Sequence, residues 1–173
     1  KRVVVADLSG IELRVNHFLW KASNSVPLFE RDRKADLYKA FAADVYGKPA
    51  SEITKEERHL AKVASLALQY GTSARTFQST ARVMGGLTLT LGEAEDVVQK
   101  WRSTYPEIVA GWRRCGDALQ WIADGIHSDI DPGGMCRTDD LGIVTPTGRM
   151  TYPGLRQEED PDTGQLGWVY GHG

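Results

Sequence analysis

Thr54-Lys55-Glu56-Glu57 opens a stretch, from Lys55 to Gln69, that contains neither glycine nor proline. A threonine followed three residues later by a glutamate is a capping-box pattern. The hydroxyl accepts the glutamate's backbone N–H, and the glutamate reaches back to the threonine's N–H, so two orphan donors of a helix start are satisfied. With no breaker behind it, the pattern predicts a long helix over 55–70, closed by Gly71. The pattern recurs at Thr90 and Glu93, ahead of Ala94, Val97, Val98 and Trp101, and Tyr105-Pro106 closes that second helix.

The other segments are read around these two helices. Val3 to Ala6 is a short β-branched apolar run that predicts a buried strand ending at Asp7. Ile11, Val15, Phe18 and Leu19 recur at helical spacing up to a break at Asn24–Pro27, and Asp36 is a good N-cap for a helix through Phe41 and Val45 that stops at Gly47 and Pro49. Ser73 to Met84 reads as a short helix with Ala74, Phe77, Ala81 and Met84 on one side, before a Gly85-Gly86 break. Ile108, Trp112, Cys115, Leu119 and Ile122 form an apolar stripe on a helix that ends at Gly125, which makes Cys115 a core residue. Ser128 to Gly142 is rich in Asp, Gly and Pro and reads as a loop. Two hairpins are expected after it, around Pro146-Thr147-Gly148 and Asp162-Thr163-Gly164. The fold class is mainly α with minor β, of the α+β type.

Composition narrows function. A chain of 173 residues with 41% hydrophobic and 25% charged residues can bury a core, which excludes disordered and collagen-like chains. Its two cysteines, without zinc spacing, exclude a disulfide scaffold. No apolar run long enough to span a bilayer occurs, so no membrane partner and a cytoplasmic setting are expected. The net charge of −2 hides an asymmetry. Residues 1–82 carry 14 Lys/Arg against 9 Asp/Glu, and residues 83–173 carry 7 against 14. A polyanionic partner should meet the first half.

Two constellations could carry chemistry. Asp7 at a strand's C-terminal edge is placed to hold a divalent cation, although such an aspartate also serves as an ordinary turn residue. Arg58, Lys62, Leu66 and Tyr70 follow one another at four-residue intervals along the 55–70 helix. Each step turns about 40° around the axis, so the four make a ladder: two cations suited to a polyphosphate, then an apolar and an aromatic group suited to sugar and base. A solvated basic face over a core stripe would show the same spacing.

Asp7-Leu8-Ser9-Gly10-Ile11-Glu12-Leu13-Arg14 resembles motif A of the family A DNA polymerases, the DNA polymerase I type. Arg58-x-x-x-Lys62-x-x-x-Leu66-x-x-x-Tyr70-Gly71 resembles motif B of the same family, the O helix of its fingers. Asp36 to Tyr46, Tyr105-Pro106-Glu107 and Thr147-Gly148-Arg149 resemble further family stretches, with a phage-like flavour. The resemblance implies template-directed DNA synthesis from dNTPs on a DNA primer-template with two Mg²⁺ ions. It makes Asp7, with the backbone carbonyl of Leu8, a metal ligand, and Glu12 a steric gate that rejects the ribose 2′-hydroxyl by clash. Arg58 would grip the β and γ phosphates, and Lys62 would act catalytically at the α-phosphate. Leu66 and Tyr38 would face the nucleotide, Tyr70, Gly71 and Arg149 the template and primer, and Arg14 would support the palm. In subdomain terms, residues 1–20 would be the palm strand and motif A helix, 21–127 the fingers including the O-type helix, and 128–173 a loop and hairpins leading back to the palm.

The departures from the family pattern carry expectations too. Leu66 stands where Phe or Tyr is usual, which removes the ring that packs on the sugar and implies poor dideoxynucleotide incorporation. Gly10 replaces Gln, Leu8 replaces Tyr, and Tyr38 stands where many relatives carry His. No His-Asp-Glu, the family's motif C, occurs among the 173 residues. The isolated chain is therefore expected to bind rather than polymerise, and to need the remainder of a polymerase (thumb, and palm with motif C). A non-catalytic nucleotide or primer-template binding module, and one subunit of a split polymerase, are the alternatives. Glu158 to Asp162 reads as a solvated acidic loop rather than a metal site.

Overall fold

The computed structural model describes Val3, Leu8 and residues 10–161 and 163–171. The strand expected at Val3–Ala6 and its terminal Asp7 fall outside the described residues, Val3 excepted. Two compact units divide the chain, Lys1–Val109 and Ala110–Gly173.

The first unit is helical. Its elements are α1 (Ile11–Leu19), α2 (Val26–Arg31), α3 (Leu37–Tyr46), a single 3₁₀ turn at Ala50–Glu52, α4 (Lys55–Leu68), α5 (Ala74–Gly85) and α6 (Leu91–Thr104). The expected caps form: Asp36 accepts the Lys39 N–H, and Thr54 and Thr90 each close a reciprocal box with Glu57 and Glu93. Ser73 adds a cap to α5 by accepting the Thr76 N–H. Helix α4 packs against α3, α5 and α6. Its buried face is Ala61, Val63, Ala64, Ser65 and Leu68, mostly small side chains that let a helix sit close to several neighbours. At Gly85 the approach of α5 to α4 is tight, since a Cβ there would come within 2.9 Å of a Val63 methyl.

Phe41, Phe77, Ala94 and Trp101 are fully buried. Around them the ring of Tyr105 meets His17, Trp101 and Phe41 at centroid distances of 4.5, 5.2 and 5.9 Å.

Four local expectations are corrected. On α1 the apolar positions Ile11, Val15 and Phe18 are exposed, while Leu13 and His17 are the buried pair, four residues apart on another side of the helix. Asn24–Pro27 does not merely interrupt. Pro27 lies in the first turn of α2, where its missing N–H costs no hydrogen bond. Met84 is exposed at the end of α5, and Cys115 is exposed on the helix over Pro106–Ala123, where Ala118 takes the buried position instead.

Helix α7 (Pro106–Ala123) runs across the boundary between the units. In the second unit β1 (Arg137–Asp139), β2 (Gly142–Thr145) and β3 (Gly148–Thr151) form an antiparallel sheet in the order β1-β2-β3, with Ile143 opposite Met150. The pair β4 (Arg156–Glu159) and β5 (Leu166–Val169) forms a separate hairpin. Both hairpins fall where the turn residues place them. The 128–142 segment is not a plain loop: it contains β1, and buried Thr138 holds it by donating to the Ile126 carbonyl at 2.7 Å and accepting the Ser128 N–H at 2.9 Å. Arg114 clamps it to α7 through the carbonyls of Ile130 and Asp129, at 2.6 and 2.7 Å. Glu158 and Glu159 likewise belong to a strand, exposed on β4. The molecule is mainly α with minor β, and no described helix is long and apolar enough to cross a membrane.

Candidate functional site

The capping box fixes where α4 begins, and so places Arg58 in its first turn. There the guanidinium Nε donates to Asp36 Oδ2 at 2.6 Å and lies over the Tyr38 ring, 5.5 Å from its centroid. Asp36 does two jobs, since its other oxygen accepts the Lys39 N–H and starts α3. Burial pushes the Asp36 carboxyl up, but the hydrogen bonds from Arg58 and Lys39 outweigh it and hold it below the usual carboxylate range. Burial is also the main cause that raises the Tyr38 phenol, with the Asp36 and Glu12 charges adding to it and Arg58 opposing. The sequence signals Asp36 as a cap and gives no hint of its bond to Arg58, 22 positions on, because such a pairing is tertiary.

Arg58, Asp36 and Tyr38 line one side of a cleft of about 800 Å³ whose other walls include Leu8, Gly10, Ile11, Arg14, Phe18 and Phe29. Gly10 opens α1 in the left-handed region at φ 59°, and Tyr38 Oη would lie 3.6 Å from a Cβ there, so glycine suits both the turn and the close approach. Arg14 donates to the Ala35 carbonyl at 2.8 Å and stacks over Phe29, which secures α1 to the segment ahead of α3.

The lower rungs of the ladder turn away from this cleft. Lys62 and Leu66 line a smaller cleft of about 250 Å³ with His59, Val63, Ala67, Thr80 and Met84, between α4 and α5. His59 Nε2 meets the Gly85 carbonyl at 2.8 Å. Tyr70, 70% exposed just past the helix end, donates its hydroxyl to Glu12 Oε2 at 3.3 Å. Burial, and then the charge and hydrogen bond of Glu12, raise the Tyr70 phenol. Asn16 and Gln69 make a second bond between the same two elements, at 3.4 Å. Gly71 takes φ 80° in the turn that follows. The structure therefore joins Arg58 to Asp36 and Tyr38, joins Glu12 to Tyr70, and groups Lys62 with Leu66. Arg149 sits exposed on β3 in the second unit, paired with Asp139.

Among the described residues no group of three or more His, Cys, Asp or Glu side chains converges on one point. The Leu8 carbonyl accepts the Ile11 N–H at 3.2 Å and keeps a second lone pair, while Asp7 lies outside the described residues. These donors do not by themselves complete a metal site.

The sequence model of DNA polymerase family A matches residues 1–122. DNA polymerase I of Aquifex aeolicus is 37% identical over 92 residues, covering 53% of this chain and 16% of that protein. The DNA polymerase of Bacillus phage SP01 is 30% identical over 112 residues, covering 65% of this chain and 12% of its own length. DNA polymerase I of Pseudomonas aeruginosa is also 30% identical, over 117 residues, with 65% and 12% covered. The chain thus spans between about an eighth and a sixth of these relatives. Among solved structures, the polymerase domain of Pol1 from M. smegmatis, in complex with DNA primer-template and dNTP, superposes with a TM-score of 0.58 at 21% identity, over 86% of this chain and 22% of that one. Motifs in family order, a family match over most of the chain and the same fold in a polymerase domain agree: this chain belongs to DNA polymerase family A.

Proposed function

We propose that this chain binds and selects the incoming dNTP within a DNA-directed DNA polymerase that adds nucleotides to a primer 3′-hydroxyl. The observation that carries the reading is the arrangement of α4 and α1: one boxed helix bears Arg58, Lys62 and Leu66, and Tyr70, just past its end, is tied to Glu12 of α1. Arg58 is already a carboxylate binder through Asp36, and the planar fork that holds Asp36 suits the β and γ phosphates equally well. A triphosphate would take the place of Asp36 at the guanidinium, with Tyr38 beside it. Lys62, exposed and with no ion pair among the described residues, would bring a mobile charge to the α-phosphate, where negative charge builds during transfer. Glu12, held by Tyr70, would stand as the gate against a ribose 2′-hydroxyl. Leu66 would give the sugar an apolar wall without a ring. Tyr70 and Gly71 would face the templating base, and Arg149 the primer-template backbone.

Asp7 and the Leu8 carbonyl would be ligands of Mg²⁺, completed by a carboxylate from elsewhere in the polymerase. When bound, such an ion supplies charge neutralisation at the phosphates. Fingers spanning 21–127, with palm contributions from 1–20 and 128–173, complete the reading. The test is Lys62→Ala in the whole polymerase, read as single-nucleotide addition. The rate constant should fall by about 10² to 10³, the loss typical of one transition-state charge stabiliser, while primer-template affinity stays within twofold. An unchanged rate would overturn the role of α4.

A further inference from the structure

His59 stands between the two cations of α4, next to Arg58 and one turn before Lys62, and its ring reaches across to α5. Its Nε2 lies 2.8 Å from the Gly85 carbonyl, which can only accept, so Nε2 carries the proton. Gly85 is the last residue of α5, where carbonyls run out of partners within the helix. The N–H groups of Gly86 and Leu87 take the Arg82 and Ala81 carbonyls at 3.2 and 3.0 Å, and His59 takes that of Gly85 from the neighbouring helix. The missing side chain matters at the same place. A Cβ on Gly85 would sit 2.9 Å from Val63 Cγ2 and 3.2 Å from Leu87 Cδ1. Carbon atoms in contact prefer about 3.5 to 4.0 Å, so a side chain there would force α5 away from α4 by up to about 1 Å. A hydrogen bond and a close backbone approach thus meet at one joint.

The joint lies at one end of the cleft of about 250 Å³ between the two helices, which α4 lines from His59 through Lys62 and Leu66 and α5 lines with Thr80 and Met84. Residues three and four apart share one side of a helix, so His59, Lys62 and Leu66 look toward α5 together. Helix α4 holds its own shape through its capping box and buried face, and the joint adds the stand of α5 beside it. We propose that His59 is a positioning residue for nucleotide addition: its bond to Gly85 holds the α5 wall of the cleft that Lys62 and Leu66 line. The inference rests on the reading of Lys62 as the charge at the α-phosphate. Lysine carries its ammonium on a flexible stem, and a wall that retreats by about 1 Å leaves that ammonium spread over more positions, a misplacement that can cost up to about 10² in rate. Arg58 is tied separately, to Asp36 and over the Tyr38 ring, so the joint does not set how the β and γ phosphates are held.

The test is single-nucleotide addition by the whole polymerase, with the rate constant taken per active site, so that a variant that merely unfolds loses burst amplitude and not rate. His59→Ala should lower the rate constant about tenfold while the KM for dNTP stays within about threefold, the pattern of a group that acts on the transition state. His59→Gln should return the rate to within about twofold of wild type, because its amide nitrogen stands as many bonds from Cβ as imidazole Nε2 does. His59→Asn, whose amide falls short of the carbonyl, should stay slow. Gly85→Ala opens the joint from the other side, and H59A/G85A should be no more than about twofold slower than the slower single variant, since both changes remove one contact. A wild-type rate in His59→Ala, no rescue by His59→Gln, or effects that multiply in the double variant would each overturn the proposal. Lys62→Ala keeps the two readings apart. If it is slow while His59→Ala is normal, the joint alone falls; if it adds nucleotides as fast as wild type, the dNTP reading falls and takes the joint with it.

Discussion

Helices α1 and α4 both carry motif residues, yet they are stabilised in opposite ways. Helix α4 starts in a reciprocal capping box and buries five residues of its inner face. Helix α1 starts at a left-handed glycine with no side-chain cap and buries only Leu13 and His17, leaving Ile11, Val15 and Phe18 between 44% and 55% exposed. One helix is determined by its own sequence and its packing within the unit. The other is held at a few points: the Arg14 clamp, the Glu12–Tyr70 and Asn16–Gln69 bonds, and the buried histidine. A helix built like α4 presents the same side chains whatever surrounds it, and one built like α1 depends on those few ties for its orientation.

Truncation on each helix should expose that contrast most strongly. Leu68, 1% exposed, closes the buried face of α4, and Leu68→Ala should cost about 2 to 5 kcal/mol. Val15, 55% exposed on α1, loses little when cut back, and Val15→Ala should stay within about 0.5 kcal/mol. Urea denaturation of the two variants gives both numbers. A large loss from Val15→Ala would mean that the outer stripe of α1 is covered and that the comparison is wrong.

The second test concerns the tie that α1 does bury. His17 is fully buried, its Nδ1 2.5 Å from Ser25 Oγ and its Nε2 without a hydrogen-bond partner among the described residues. Burial pulls its pKa from 6.5 down to about 4, against a smaller opposing pull from the Glu107 charge. The folded state therefore keeps the ring neutral where the unfolded chain already binds a proton. Stability from this group is complete above pH 6.5 and drains away as pH falls from 6.5 toward 4, by about 3 kcal/mol at 1.36 kcal/mol per pKa unit. Between pH 7 and 4.5 the wild type should lose more stability than His17→Gln, by about that amount. Parallel losses in the two proteins would show that the histidine is not the acid-sensitive point of α1.

The same contrast explains what could be read from the sequence. Caps are local: Thr54, Asp36 and Thr90 each signal a helix start within four residues, and all three start one. The site residues on α4 were legible because their four-residue spacing matches a family motif. Their partners were not, since the Arg58–Asp36 and Tyr70–Glu12 contacts join positions 22 and 58 apart in the chain. On α1 the hydrophobic period pointed at Ile11, Val15 and Phe18, but the helix buries Leu13 and a histidine instead, and no periodicity rule counts a histidine as core. Strand β1 was missed for a related reason: Arg137-Thr138-Asp139 has no apolar alternation, and its one inward side chain is a threonine held by backbone hydrogen bonds.

The smallest effect is the most direct probe of the difference between the helices, because it removes from α4 the feature that α1 lacks. Thr54 Oγ1 accepts the Glu57 N–H at 3.2 Å, and Glu57 Oε2 accepts the Thr54 N–H at 2.8 Å. Thr54→Ala deletes the first bond, and the second loses the partner that positions it. The cost should be about 1 kcal/mol, against a few tenths for Thr54→Ser, which keeps the hydroxyl. Glu57 is also bridged to Lys48 at 2.6 Å, so its carboxylate keeps one anchor when the threonine is lost and the helix start frays by less than a full turn. Arg58 lies inside that first turn, one residue after Glu57. If Thr54→Ala costs about 1 kcal/mol in urea denaturation while Thr54→Ser does not, the box is what sets α4 apart; equal values for the two would assign that role to the packing of Ala61, Ala64 and Leu68 alone.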